Sequence, residues 1–337
     1  YFTGKSFQLP LACALLLENL KDKVVFTGGL AEDGRILVVD GFYQKKKACE
    51  ERGFVLADPS KLGTLKELVE FLSKEAVDIP LHITYETGDK ARTDFEDFCL
   101  QTNINTQYLK AVYGLDESML LLSTGQLRTA QDWQSKAEEF IRKIKHIDTI
   151  TGSRARFHIS IKSSSAFAFA CGILHGSQKP FVLYHYQNSK YHPLPVYDVR
   201  ELKKLVEPTL IKVDFEKGNE ELCVVLNFAH HSALADVKRQ TEGKCSYLVL
   251  SSSESGALPL EKFFHIAQQS ASAIQKLRNE HSFSSYHFFF SCPVPIAFMV
   301  GVAFGHFSDG YIYNYEREEN LYKQVLSIRF LRNLREG

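Results

Sequence analysis

The sequence predicts an α/β protein, and two observations lead to that prediction. Patterns typical of buried strands and of helices alternate along nearly the whole chain, which favours parallel sheets with helices on both faces. Residues 157–186 and 286–315 also resemble two copies of one unit, related by an ungapped offset of 129 positions. A duplicated unit implies two similar half-sites that face each other, which suits a pseudosymmetric ligand.

Identical residues recur at the same places in both copies. The matched pairs are His158 and His287, Ala168 and Ala297, Phe169 and Phe298, Gly172 and Gly301, Gly176 and Gly305, Tyr184 and Tyr313, and Tyr186 and Tyr315. The two histidines come early in buried strands, so we interpret them as features of the fold.

The elements follow from hydrophobic periodicity and from helix and turn signals. In the N-terminal part we predict a helix at 6–20, two strands around a glycine turn within 22–40, a helix at 42–52, a strand at 54–58, a helix at 66–74 and a strand at 81–86. Residues 88–112 are polar and then helical, and we place a domain linker there. The later strands are predicted at 119–123, 157–161, 181–186, 210–215, 221–229, 246–251, 286–291 and 311–315, and the later helices at 130–145, 164–175, 259–280 and 295–305.

Composition excludes several classes of protein. At 337 residues the chain is long enough for two or three domains. Its 40 basic and 40 acidic residues give no formal net charge, which argues against a dedicated duplex-DNA binder. The seven cysteines form no CxxC pair, so we expect reduced cysteines in a cytoplasmic protein and no metal site. The chain opens at Tyr1 without Met, so we expect an upstream segment and leave a membrane anchor there open.

The N-terminal segment TGKSFQLPLA places Ser6 at the start of the first predicted helix. A serine hydroxyl becomes a good nucleophile only when a base removes its proton, and a lysine kept neutral by apolar surroundings can be that base. Backbone N–H groups at a helix N-terminus can also face a developing oxyanion. The plainer alternative is a helix-capping serine followed later by a solvated lysine run. The same segment resembles the end of a P-loop, but the earlier glycine and the preceding strand of that motif are missing.

This region resembles the nucleophile segment and the following segment of Lon-type proteases. The alignment is ungapped from Thr27 to Gly53. The resemblance implies that Ser6 is the nucleophile, that Lys45 is the catalytic lysine and that Thr27 orients it. The chain departs from the family at Lys5, Phe7 and Gln8, and the first half of the Lon fold is absent. An inactive, degenerate domain is therefore the alternative.

Small and polar residues follow the predicted strands of the duplicated region. In open parallel sheets, ligands sit beyond the carboxyl ends of the strands and at helix N-termini. Hydroxyls and N–H groups there can hold phosphates, and tyrosines can stack on adenines. The candidate ligand-binding residues are Ser123, Thr124, Gly125, Gln126, Lys162, Ser163, Ser164, Tyr186, Ser252, Ser253, Cys292, Pro293 and Tyr315. Taken singly, the serines are better explained as helix caps and the tyrosines as strand packing.

The duplicated region resembles the SAVED domain, a sensor that is fused to effectors in CBASS and type III CRISPR defence. The best markers are FFFSCPVPIAFMVGVAFG and YIYNYE. The resemblance implies a domain of two fused CARF-like Rossmannoid halves that binds a cyclic oligoadenylate, with cyclic tetra-adenylate as the expected ring. His230 and His231 stand beside each other at a strand end, where they point to opposite sides, so we assign them a structural role and not a metal site.

Together these observations predict a Lon-protease-like domain at 1–105, which is the C-terminal part of that fold, and a SAVED domain at 115–330 with halves at about 115–200 and 220–330. The implied function is a serine protease of antiviral defence, with a Ser6–Lys45 dyad that a cyclic oligoadenylate activates. Its implied partners are a specific protein substrate such as an anti-sigma-like regulator and further copies of itself, with no duplex nucleic acid and no other cofactor. The alternative is a non-catalytic sensor whose Lon-like part only mediates assembly.

Overall fold

The fold was analysed in a computed structural model that describes residues 4–17, 20–195, 198–229, 233–253 and 258–337. The strands are β1 (Val24–Val25), β2 (Gly29–Leu30), β3 (Ile36–Leu37), β4 (Val55–Leu56), β5 (Val77–Thr84), β6 (Leu121–Ser123), β7 (Ala155–Lys162), β8 (Phe181–Gln187), β9 (Lys190–Pro193), β10 (Ile211–Glu216), β11 (Glu221–Asn227), β12 (Ser246–Ser252), β13 (Ser285–Ser291), β14 (Gly310–Glu316) and β15 (Leu321–Ser327). The helices are α1 (Gln8–Leu16), α2 (Phe42–Glu50), α3 (Leu65–Leu72), α4 (Gly88–Thr102), α5 (Thr106–Tyr113), α6 (Glu117–Leu120), α7 (Ala130–Ile150), α8 (Ser165–His175), α9 (Leu234–Gln240), α10 (Phe263–Glu280), α11 (Val294–Phe304) and α12 (Ile328–Glu336).

The chain divides into two compact units that interleave along the sequence. The first unit comprises Tyr1–Leu81, Phe95–Leu121 and Lys143–Phe157, and the second comprises His82–Asp94, Leu122–Arg142 and His158–Gly337. The sequence predicted two continuous domains, at 1–105 and 115–330, whereas each unit consists of three separate segments. The predicted linker at 88–112 is corrected, because these residues form α4 and α5. The Asn105 side chain accepts from the N–H of Tyr108 and so caps α5, and Gly114 ends that helix with a positive φ.

The first unit contains small β-pairs and a buried ion pair. β1 pairs with β4 in parallel, and β2 pairs with β3 in antiparallel fashion. The Asp22 side chain is fully buried, and it accepts hydrogen bonds from Arg154 Nε at 2.9 Å and from the Tyr113 hydroxyl at 2.6 Å. Burial and Asp22 raise the pKa of Tyr113, so the phenol stays a neutral donor. A buried carboxylate therefore joins segments that are far apart in the sequence.

The sheets are mixed and not wholly parallel as predicted. The six-stranded sheet has the order β10-β12-β11-β13-β14-β15, and the five-stranded sheet has the order β6-β5-β7-β8-β9. The pairs β11–β12, β11–β13 and β13–β14 are parallel. The antiparallel strands β9, β10 and β15 stand at the sheet edges. β9, β15, α9 and α12 were not predicted.

The duplication is confirmed in three dimensions. An offset of 129 maps α8 onto α11 and β8 onto β14 residue for residue. The order β6-β5-β7-β8-β9 also matches β12-β11-β13-β14-β15, with β10 as an added edge strand. By this match β5 is the equivalent of β11. The sequence placed β5 in the N-terminal domain, and its position in the sheet assigns it to the first half of the duplication.

The helices α8 and α11 pack with their backbones in close approach. A Cβ added at Gly172 would lie 2.1 Å from the Phe298 carbonyl oxygen, and a Cβ at Gly301 would lie 2.2 Å from the Phe169 carbonyl oxygen. The two contacts are reciprocal, as a pseudo-twofold relation between the halves requires. Only glycine fits at either position without separating the helices.

Within the described residues, no helix is long and apolar enough to cross a membrane.

Replacing either glycine by alanine should destabilise the second unit strongly. The added methyl would meet main-chain atoms of the other helix, so Gly172→Ala and Gly301→Ala should each lower the free energy of unfolding by about 3 kcal/mol or more. Gly243→Ala is the matched control, because Gly243 has a positive φ and open space around its Cβ position. The control should cost about 1–2 kcal/mol. Urea unfolding measures all three, and equal losses would contradict the steric account.

Candidate functional site

Polar residues line up at the carboxyl ends of the second-half strands. Asn227 at the end of β11 pairs with Ser251 of β12 on one side and with Ser291 of β13 on the other. The backbone N–H groups of Phe228 and Ala229 both donate to the Ser291 carbonyl oxygen at 2.7 Å. These contacts hold the strand ends level, so their small polar side chains form one row.

The first half has an equivalent row. The backbone N–H of Thr124, just after β6, donates to the Thr84 carbonyl oxygen at the end of β5, at 2.8 Å. The backbone N–H of Tyr85 donates to the Lys162 carbonyl oxygen at the end of β7, at 2.9 Å. The row from Thr124 through Thr84 to Lys162 therefore stands at the carboxyl edge, where ligands of such sheets sit.

The two rows meet where α8 and α11 begin. Ser164 caps α8 by accepting a hydrogen bond from the backbone N–H of Phe167, and Pro293 precedes α11. The Ser165 hydroxyl donates to the Cys292 carbonyl oxygen at 2.7 Å. Two helix N-termini thus lie side by side, one from each half. The start of α8 offers N–H groups to an anion, whereas α11 has Pro295 in its first turn and the N–H of Ile296 donates to the Pro293 carbonyl oxygen.

Lys162, one of the predicted ligand-binding residues, forms both an ion pair and a cation–π contact. Its ammonium group lies 2.6 Å from a carboxylate oxygen of Asp94 and 4.3 Å from the centre of the Tyr186 ring. The Thr84 hydroxyl and the Tyr191 hydroxyl also donate to Asp94, to its side chain and its backbone carbonyl respectively. Asp94 and the tyrosines therefore hold one positive charge at the strand end of the first half.

The second half lacks that charge. The position equivalent to Lys162 is Ser291. The aromatic frame is kept in both halves, with Tyr186 next to Tyr191 at 4.8 Å between ring centres and Tyr315 next to Tyr322 at 5.1 Å. The two half-sites are therefore similar in shape and different in charge.

The remaining predicted ligand-binding residues have mixed roles. The Ser123 hydroxyl donates to the Glu86 carbonyl oxygen, and Thr124 is buried against β5, so both serve the strand ends. Gln126 is exposed and accepts from Arg128, while Gly125 has a positive φ. Ser163, Ser252, Cys292 and Pro293 are half-buried, and Ser253 is exposed. Burial raises the pKa of the Cys292 thiol to about 12, so it stays protonated and is not a nucleophile at neutral pH.

The paired histidines serve the fold, as interpreted. His158 Nδ1 lies 2.9 Å from the Tyr184 hydroxyl, and His287 Nδ1 lies 3.0 Å from the Tyr313 hydroxyl. Both partners are matched pairs of the duplication, so the same hydrogen bond recurs in each half. His230 and His231 lie outside the described residues. No group of metal-ligating side chains is found in the described part of the chain.

The three predicted catalytic residues lie in the first unit, and two of them are in contact. The Lys45 ammonium donates to the Thr27 hydroxyl at 3.3 Å and to the Asp40 carbonyl oxygen at 3.2 Å. Ser6 stands in a short turn of 3-10 helix just before α1, and its carbonyl oxygen accepts from the backbone N–H of Gly28 at 3.3 Å. Ser6 is thus held beside the residue that follows Thr27. Among the described residues, Lys45 Nζ has no hydrogen bond to the Ser6 hydroxyl.

The three consecutive lysines of α2 differ in their exposure. Lys45 is half-buried, whereas Lys46 and Lys47 are exposed, and Lys46 forms a long contact of 3.9 Å with Glu50. Of the three, Lys45 is the lysine that the helix turns towards Thr27, in agreement with the sequence alignment.

Sequence reasoning missed the partners of Lys162. Asp94 lies in the stretch taken for a linker, and Thr84 ends the strand assigned to the other domain. The sequence did contain a signal, because the strand LHITYE ends in small and polar residues as the other site strands do.

Comparison with known proteins identifies the second unit. The family model for the SMODS-associated and fused to various effectors sensor domain, SAVED, matches residues 140–328, which is more than half of the chain. The chain belongs to the SAVED family. The matched residues include the six-stranded sheet, α8 and α11, whereas β5, β6 and Asp94 of the first half lie outside them, as do Ser6, Thr27 and Lys45.

Two solved structures share the fold. Both are of the Acinetobacter baumannii Cap4 SAVED/CARF-domain containing receptor, one with the cyclic trinucleotide 3'3'3'-cAAA and one with 2'3'3'-cAAA. They align with TM-scores of 0.54 and 0.53, each at 17% identity over 78% of this chain. The chain spans about half the length of these receptors, since 54% of each is covered. No curated protein sequence matches the chain.

The buried His82 beneath the first-half strand end should make stability depend on pH. Burial lowers its pKa from 6.5 to about 4, so between these pH values the unfolded chain binds more protons than the folded one. Stability should therefore fall as the pH drops from 6.5 to 4, by roughly 3 kcal/mol in total. His82→Leu removes this term, so its unfolding free energy should fall less over this range. Parallel curves for the two proteins would contradict the account.

Proposed function

We propose that this chain is a sensor of a cyclic oligoadenylate in antiviral defence. The observation that supports it most is the pair of level strand-end rows that meet where Ser165 contacts Cys292. The N-terminus of α8 and a tyrosine from each half provide phosphate donors and stacking faces for a ring-shaped anion. Membership of a sensor family and the cyclic trinucleotides bound by the Acinetobacter receptor agree with this assignment.

The charge difference between the half-sites suggests how the ring is seated. Lys162 is already desolvated and oriented by Asp94 and Tyr186, so a phosphate bound there would meet a fixed donor. The equivalent Ser291 offers only a neutral hydroxyl. We therefore assign one phosphate of the ring to Lys162 and a second to the N–H groups at the start of α8. Cyclic tetra-adenylate is the predicted ring, and cyclic tri-adenylate is the ring of the relative.

Lys162→Gln should weaken ring binding about 10- to 100-fold, because a hydrogen bond to a charged group contributes roughly 1.5–3 kcal/mol. Lys244→Gln is the control with the same change of charge, since Lys244 lies before the amino end of β12 and pairs with Glu242. Calorimetric titration of both variants with cyclic di-, tri- and tetra-adenylate measures the effect. If no ring binds the parent protein, the sensor proposal fails. Equal weakening in both variants would show only a general effect of charge.

We further propose that Ser6 and Lys45 form a serine protease dyad that the bound ring switches on. The observation in its favour is the contact of Lys45 with Thr27, together with the backbone contact that holds Ser6 beside Gly28. The Lys45 amine would take the proton of the Ser6 hydroxyl as that oxygen attacks a peptide carbonyl, and Thr27 and the Asp40 carbonyl would orient the amine. Activation would bring Ser6 and Lys45 into hydrogen-bond contact and would assemble several subunits.

Lys45→Ala and Ser6→Ala should each abolish proteolysis, because members of a dyad act as a unit. Lys46→Ala and Lys47→Ala should remain near the parent rate, since both side chains are exposed. The assay uses the protein encoded by the neighbouring gene as substrate, with and without the ring, and a gel resolves the products. Ring affinity should be unchanged in all four variants.

A defect at Lys47 with normal activity at Lys45 would refute the assignment of the lysine. Ring binding without cleavage in the parent protein would instead favour the alternative, in which the first unit is inert and mediates assembly. Sedimentation with and without the ring then tests that role.

A further inference from the structure

The second unit carries a groove at the far end of α11 from the ring site. Two neighbouring cavities, of about 250 and 380 Å³, share Arg278 and Phe307 in their walls. The first also includes Lys203, and the second includes His281 and Arg332. Since α11 has eleven residues, it spans about 16 Å from the ring site to this groove. The groove is therefore separate from the ring site described above.

The groove contains more positive charge than its own acids neutralise. Asp309 is the one acidic side chain among the lining residues, and it pairs with Arg332 at 2.9 Å. Within the described part of the chain, neither Lys203 nor Arg278 has an ion-pair partner. Burial and the nearby Arg335 lower the pKa of Lys203. Arg335 donates to the Ile173 carbonyl oxygen and lies within hydrogen-bond distance of the His306 ring. These contacts do not neutralise its positive charge.

Buried neighbours anchor the backbone at both cations. Lys203 ends a 3-10 turn that the fully buried Leu202 anchors, and Arg278 lies in the last turn of α10 beside the buried Leu277. Their positions do not depend on each other, since they come from two different elements. Such preorganised donors favour a ligand with a compact, multiply charged group.

An exposed aromatic ring stands between the two cavities. Phe307 follows α11 and is 73% exposed, and the centre of its ring lies 4.3 Å from the centre of the buried His306 ring. A phenylalanine this exposed next to uncompensated cations gains little from the protein itself. A flat heterocycle laid on it would bury its face, as in single-stranded nucleic-acid binding sites.

We propose that this groove binds a nucleoside phosphate, with the base on Phe307 and the phosphate on Lys203 and Arg278. A guanidinium, an ammonium and a stacking ring in the wall of one cavity match the two parts of a nucleotide, and the combined cavity is large enough for one. The ligand is a free mononucleotide or the end of a single strand, which offer the same chemistry. The site acts independently of the ring site and of the Ser6–Lys45 pair.

Calorimetric titration with AMP, adenosine, inorganic phosphate and a five-nucleotide single strand tests the proposal on the full chain. Phe307→Ala should weaken AMP binding about tenfold and leave phosphate binding unchanged. Lys203→Gln and Arg278→Gln should each weaken both. The matched controls are Lys204→Gln, whose lysine pairs with Glu201, and Lys276→Gln, whose lysine pairs with Glu207. Both controls should bind as the parent does.

The outcomes separate the alternatives. AMP binding that needs Phe307, Lys203 and Arg278 supports a mononucleotide site, and tighter binding of the single strand with the same dependence supports a strand end. Equal binding of AMP and phosphate, binding that the variants do not change, or no binding at all would overturn the proposal. Displacement of AMP by poly-glutamate with the same dependence on Phe307 would overturn it in favour of a peptide site. AMP binding should persist in Lys162→Gln, and its loss there would place AMP in the ring site.

Discussion

The close approach of α8 and α11 is the constraint on which the second unit depends. Gly172 and Gly301 let each helix backbone lie against a carbonyl oxygen of the other helix. With the helices this near, their N-termini stand together and Ser165 reaches the Cys292 carbonyl. A larger residue at either position would separate the strand ends as well as the helices. The same two glycines therefore set both the packing and the spacing of the proposed ring site.

The two copies of the duplicated unit keep the same fold and differ in some of their side chains. The hydrogen bonds of His158 with Tyr184 and of His287 with Tyr313 are nearly equal in length. Elsewhere the copies differ, since Ser160 in the first half corresponds to Phe289 in the second. Phe289 packs on Tyr313 and Tyr322, whereas Ser160 is fully buried in the half that keeps Lys162 and Asp94. At this position the second half is therefore the more apolar one, and the first half carries the charge of the site.

How far the sequence predicted the structure depended on how local each signal was. The repeat at an offset of 129 predicted α8, α11, β8 and β14 to within two residues, because hydrophobic periodicity and glycine ends act locally. The antiparallel edges and the membership of β5 in the first half depend on pairing between distant strands, which one sequence does not encode in its periodicity. Asp94 was missed for the same reason, since its role comes from Lys162, which is 68 positions away. The contact between Thr27 and Lys45 was predictable only because the family resemblance supplied the pairing, and the role of both residues remains a prediction.

In the two proposals, a chain without net charge binds anions near both ends of α11 because the charge is arranged locally. Where α8 and α11 begin, the N–H groups of α8 and the oriented Lys162 would favour a phosphate without a basic surface. At the other end of α11 the helix dipole points the opposite way, so an anion there needs explicit cations. Arg332 and Arg335 bind carbonyls at the ends of α11 and α8, those of His306 and Ile173, which offsets the negative ends of both helices. Lys203 and Arg278 are then left for a ligand. The two sites thus require different chemistry for a single physical reason, the direction of α11, and a substitution that removes one should leave the other intact.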